Sequence, residues 1–226
     1  WRVLSYPDEW SVDDDIEALD LETSLDDGPI IPEVTTVKWQ EEPMGFGQGP
    51  VSGCVPSVLV LLDSSRSMAG SYDDASTAAY IAYLSCVWAG GETACVSFST
   101  DHLVAEWSHD ADSKEQVLAS HLGGLTIMPM PQVLELVEKA ETPCYVVIIT
   151  DGGWQNIHEV APAIRELGLG GHTVTIFHLQ GWQYPDEVRL LRANPYVSCY
   201  DVEVPERDLE GLVLAQVMGR YERYLR

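Results

Sequence analysis

Positive charge is what this sequence has least of. Lysine occurs only at Lys38, Lys114 and Lys139, and lysine and arginine together number 12 against 36 aspartates and glutamates, a formal charge of −24. Such a surface repels phosphate backbones and anionic lipid, which excludes nucleic acid as a leading partner. Long apolar runs are missing too. A bilayer span needs ~20 consecutive apolar residues, and the stretch from Ala75 to Ala89 is only a short helix in length. No membrane insertion is expected of this chain.

Paired cysteines are also lacking. The five cysteines are odd in number and irregular in spacing, with no Cys-x-x-Cys. Cys86, Cys95, Cys144 and Cys199 fall in or beside apolar segments, so buried thiols in a reducing cytoplasm are expected, not a zinc ribbon or a disulfide framework. The chain opens on Trp1, with no positively charged start followed by an apolar run. It is expected to carry no signal peptide, and it reads as an excised piece of a longer protein.

Most catalytic motifs are absent as well. No Gly-x-Ser-x-Gly elbow, His-Glu-x-x-His pair or Gly-x-x-x-x-Gly-Lys-Ser loop occurs, which removes the usual signals of a serine hydrolase, a zinc peptidase and a nucleotide-binding loop. The Gly45, Gly47, Gly49 series precedes a strand instead of following one, so it reads as a linker. Asp13, Asp14, Asp15, Asp20 and Glu22 lack the spacing of a calcium loop and read as solvated charge. His158 and His178 have no clustered partners and read as surface or core-edge residues.

What remains is ample apolar content, 46% of 226 residues, in two differently composed regions. Residues 1–52 are expected to form an acidic N-terminal arm packing on a main domain at 53–226, because their apolar residues are too few for a separate core. Pro32 to Gln40 carries β-branched residues that suit one strand. From Val55 onward strands and helices alternate. Val58-Leu59-Val60-Leu61-Leu62 and Tyr145-Val146-Val147-Ile148-Ile149 are continuous apolar runs, as in central parallel strands covered on both faces. Further strands are expected at 94–98, 174–177 and 197–202, and a short turn at 100–102 leads into an antiparallel partner at 103–107. Helices are expected at 74–89, 113–122, 131–139, 157–167, 185–192 and 208–226. The pattern predicts an α/β fold of Rossmann-like form: a doubly wound, mostly parallel sheet with one antiparallel edge strand and helices on both faces.

Both long apolar strands end on an aspartate, Asp63 and Asp151. In open parallel sheets ligands bind beyond the carboxyl ends of the strands. Asp63-Ser64-Ser65-Arg66-Ser67 puts a carboxylate and two hydroxyls at alternate positions, an oxygen set that suits a hard divalent cation. Standing alone, the same residues also serve as a helix N-cap. Thr126 and Asp151 are placed to complete a five-residue set.

At these residues, and from about Val55 to the C-terminus, the chain resembles the von Willebrand factor A family. That family's metal-ion-dependent adhesion site is written Asp-x-Ser-x-Ser, a threonine on a later loop, and an aspartate ending a central strand; here these are Asp63, Ser65, Ser67, Thr126 and Asp151. Two positions depart from the pattern: Leu125 is inserted between Gly124 and Thr126, and Arg66 stands where glycine is common. The resemblance implies a protein-interaction module rather than an enzyme. Its site would hold a divalent cation, Mg2+ first with Mn2+ and Ca2+ as alternatives, that accepts an acidic side chain from a partner protein. It also points to prokaryotic, cytoplasmic members that partner MoxR-type AAA+ ATPases in remodelling complexes.

Two competing readings stay open, a metal-dependent hydrolase and a metal-independent scaffold subunit. Around the site, Arg66, Met128, Met130 and Trp154 are candidates for a partner-binding rim, since adaptable methionines and aromatics serve that purpose. For Trp154 a place tucked into its own domain is the alternative.

Overall fold

The computed structural model describes residues 3–9, 19–20, 37–43, 55–179, 184–221 and 224. By contacts the chain separates into two compact units, Trp1–Val51 and Ser52–Arg226. In the first unit β1 (Val3–Glu9), β2 (Leu19–Asp20) and β3 (Val37–Pro43) form an antiparallel sheet in the order β1-β3-β2. Most of the expected acidic arm, and the Gly45–Pro50 linker, lie outside the described residues. So does the end of the expected last helix, at 222–223 and 225–226.

The second unit is built on six strands: β4 (Val58–Asp63), β5 (Thr93–Phe98), β6 (His102–Ser108), β7 (Tyr145–Thr150), β8 (Thr173–Leu179) and β9 (Val197–Val202). Their order is β6-β5-β4-β7-β8-β9. Every neighbouring pair is parallel except β5 and β6, which a short turn joins as an antiparallel edge. The expected α/β architecture is the one observed.

Strand periodicity explains how the sheet is covered. Successive side chains of a strand point to opposite faces, so Val58, Val60 and Leu62 pack on one side while Leu59 and Leu61 pack on the other. The first face is covered by α1 (Tyr72–Trp88), α2 (Ala111–Leu118) and α6 (Pro205–Tyr221), the second by α3 (Met130–Lys139), α4 (Ile157–Leu169) and α5 (Pro185–Arg192). Helix α1 turns Ala75, Ala78, Ala79 and Ala82 inward, a helical spacing whose small side chains let its backbone approach the sheet closely. Among the described residues no helix is long and apolar enough to cross a membrane.

One local device keeps the edge strand in place. The β5–β6 register shifts between Thr93 and Cys95, and such a bulge disrupts the hydrogen-bond ladder. Lys114, fully buried on α2, donates its ammonium to the Glu106 carbonyl and to Ser108 Oγ, the latter at 3.0 Å. Burial lowers the Lys114 pKa.

Candidate metal centre

Strand β4 delivers Asp63 to the carboxyl edge with no solvent exposure. A short 3-10 turn, Arg66–Gly70, follows, and the chain between them folds back on the aspartate. Asp63 Oδ1 accepts the Ser65 amide at 2.8 Å, and Oδ2 accepts the Thr150 hydroxyl at 2.6 Å. Ser65 Oγ and Ser67 Oγ are bonded at 3.1 Å, and Ser67 Oγ donates to Asp151 Oδ1, also at 3.1 Å. Two strand ends and one loop therefore bring Asp63, Ser65, Ser67 and Asp151 into a single hydrogen-bonded set.

Thr126 enters through its main chain. Its carbonyl accepts the Gln155 amide at 2.9 Å, while the glycines before it anchor to the first loop: Gly123 N donates to the Ser64 carbonyl at 2.8 Å, and Gly124 O accepts the Arg66 amide at 3.1 Å. Both glycines have positive φ, 72° and 93°, a region that non-glycine residues rarely occupy. Leu125 N donates to Thr100 Oγ1 at 2.9 Å, leaving the Leu125 side chain 57% exposed and Thr126 buried. The inserted leucine is thus accommodated by turning it outward. His121 Nε2 lies 3.1 Å from the Ser65 carbonyl, a bond that requires this nitrogen to carry the proton.

The electrostatics of the set are unusual. Burial pushes the Asp63 pKa up to about 6, against the lowering effect of the bonds from Thr150 and Ser65, and the charge of Asp151 raises it further. Asp151 is raised as well, again by burial, with the Ser67 bond acting in the opposite direction. No Lys or Arg pairs with either carboxylate among the described residues. Two buried acids without a counter-charge are costly when ionised. Hard oxygen donors with a deficit of positive charge are the chemistry that fits a divalent cation such as Mg2+. Among the described residues no group of three His, Cys, Asp or Glu side chains is placed to hold a metal, so such an ion would depend on the serine hydroxyls.

The proposed rim requires correction. Arg66 is exposed, but Met128, Met130 and Trp154 are only 1%, 6% and 3% exposed and belong to the core under α3 and α4. Asn156 pins Met128 inward, accepting its amide at 3.1 Å and donating to its carbonyl at 2.9 Å. Trp154 Nε1 donates to Thr150 Oγ1 at 3.0 Å. The tryptophan is tucked into its own domain and supports the hydroxyl that holds Asp63. His178, expected at the surface or core edge, is buried at the end of β8 with neither ring nitrogen hydrogen-bonded.

Glu187 was missed by the sequence reading. Its Oε2 accepts the Gly153 amide at 2.9 Å, just beyond Asp151. No local signal marks it, since it lies on α5, separated from Gly153 by 34 positions.

By sequence, no protein-family model and no curated protein matches the chain. By structure, it is similar to the pilus adhesin SpaC from Lactobacillus rhamnosus GG in its open conformation, with a TM-score of 0.61 at 12% identity over 78% of this chain and 31% of that one. It is also similar to a von Willebrand factor type A protein from Catenulispora acidiphila, with a TM-score of 0.57 at 16% identity over 74% and 42% of the two chains. A third similar structure is the vWF domain of the type V pili tip protein Mfa5 from Porphyromonas gingivalis, with a TM-score of 0.57 at 8% identity over 73% and 96%. The matched part of the SpaC chain is about a third of its length. At these identities the likeness shows the fold, a Rossmann-like von Willebrand factor A fold.

Proposed function

We propose that the chain is a metal-dependent protein-interaction module in which Asp63, Ser65, Ser67, Thr126 and Asp151 hold a divalent cation, Mg2+ first. The observation that carries this reading is the convergence of two buried, unpaired carboxylates with two serine hydroxyls at the carboxyl edge of the sheet. A bound cation would supply positive charge and a coordination position open to a partner's carboxylate. The protein's own residues prepare that position. Thr150 and the Ser65 amide orient Asp63, Ser67 ties Asp151 to the first loop, and exposed Ser67 and Arg66 face the approaching partner. On a surface of net charge −24, a partner carboxylate has little other reason to approach.

A hydrolase would need a free base at the site, and the exposed His121 there is tied through Nε2 to the Ser65 carbonyl. His178 is buried, and Glu187 is engaged by Gly153. The similar structures point the same way, since SpaC is described as a pilus adhesin. For the partner itself, a MoxR-type AAA+ ATPase in a cytoplasmic remodelling complex is the specific proposal. The four described cysteines are free and three of them are buried, which fits a reducing compartment.

Calorimetric titration of Mg2+ and Mn2+ into the wild type and Asp63→Ala tests the cation, with binding expected in the first and none in the second. No heat in the wild type sinks the metal claim. Partner capture with and without chelator tests the interaction, and equal recovery in both favours the metal-independent scaffold.

A further inference from the structure

The turn that follows Asp151 is held from outside by a helix that contributes nothing else to the site. Gly152 and Gly153 have φ of 86° and 72°, two consecutive residues in a region that side-chain-bearing residues avoid. Gly152 N donates to Thr150 Oγ1 at 3.0 Å, and Gly153 N donates to Glu187 Oε2 at 2.9 Å. Space is as restricted as torsion. A Cβ on Gly152 would stand 2.7 Å from His178 Nε2, 2.9 Å from Tyr184 Cδ2 and 3.2 Å from Glu187 Oε2. Strand β8, residue 184 and helix α5 thus close on one turn, and Glu187 is the group in that wall that accepts a hydrogen bond from it.

We propose that Glu187 is a positioning residue for the candidate cation site: from α5 it fixes the Gly152–Gly153 turn through the Gly153 amide, and the turn in turn fixes the carboxylate of Asp151. The proposal rests on the cation reading above for its effect on affinity, but not for the hold on the turn. Glu187 acts as a hydrogen-bond acceptor, and its charge is incidental to that role. Glutamine keeps an acceptor oxygen at the same reach and loses the charge, whereas alanine loses both.

The experiment compares wild type, Glu187→Ala and Glu187→Gln, each first checked for an unchanged fold by thermal unfolding. Amide hydrogen exchange at Gly153 in metal-free protein reads the hold on the turn, and Mg2+ titration calorimetry reads the site. Groups that orient metal ligands typically contribute ten- to a hundredfold in affinity. Glu187→Ala is expected to speed Gly153 exchange and to weaken Mg2+ by about tenfold or more, and Glu187→Gln to restore both to near the wild-type values.

Equal weakening in the two variants would make Glu187 a through-space charge and overturn the proposal, as would no change in either. If the wild type takes up no Mg2+, the cation reading fails by itself. The hold on the turn then stands if Gly153 exchange speeds in Glu187→Ala alone, and falls if it does not.

Discussion

Strands β4 and β7 lie side by side, yet their two ends are chemically unlike. At the amino end neutral polar groups pair with one another, the buried Tyr145 hydroxyl has no hydrogen-bond partner among the described residues, and one cation, Arg220, lies over the Tyr145 ring at 4.3 Å. Ser57 bonds Thr142 through both its amide, at 3.1 Å, and its hydroxyl, at 2.8 Å, and the Tyr221 hydroxyl donates to the Pro56 carbonyl at 2.9 Å. At the carboxyl end the same strands bury two acids whose pKa values burial has raised. Hydrogen bonds satisfy these oxygens but bring no opposite charge. A buried polar group is inexpensive once bonded, whereas a buried charge needs compensation. The amino end therefore reads as structure, and the carboxyl end as the place where the proposed cation would compensate buried charge.

The sharpest way to break that contrast is Asp63→Ala, which is expected to abolish Mg2+ binding in calorimetry while leaving the fold intact by circular dichroism. Binding that survived would mean the two ends are alike after all. Next in size is pH. The Asp63 pKa is about 6 in the folded protein against an ordinary 3.8, so the metal-free protein is stabilised by protonating it. That stability is fully present below about pH 4 and lost as pH rises through 6, a change of about 3 kcal/mol. Denaturant unfolding with chelator present should show it, Asp63→Asn should remove it, and Mg2+ should restore stability at neutral pH.

The amino end should respond in the opposite manner. Tyr221→Phe leaves the Pro56 carbonyl with only the weak Cys86 thiol donor, 3.6 Å away, and is expected to cost about 1 kcal/mol in denaturant unfolding, with the Mg2+ affinity unchanged. Ser57→Ala is expected to cost less, about 0.5 kcal/mol, because its amide keeps Thr142 as acceptor. A shift in metal affinity from either would merge the two ends into one network.

How far the sequence could carry this picture depended on whether a signal was local. Strands β4 and β7 were legible because six consecutive buried positions leave an uninterrupted apolar run, and their terminal aspartates were legible by interruption. The antiparallel edge followed from the short turn at residues 100–102. Met128, Met130 and Trp154 were misplaced because an apolar residue beside a polar site looks the same whether it faces a partner or the core. Asn156, which pins Met128, decided the matter across 28 positions. Glu187 was invisible for a similar reason. Its contact is made in space by a helix that its own residues give no cause to associate with Asp151.

Trp154 has a consequence of a practical kind. Its indole N–H donates to the same Thr150 oxygen that donates to Asp63, so the ring is one bond removed from the carboxylate that would change charge or gain a ligand. Its indole N–H proton resonance is a natural indicator of events at Asp63, and it needs no label. A residue unsuited to touch a partner is well placed to report one.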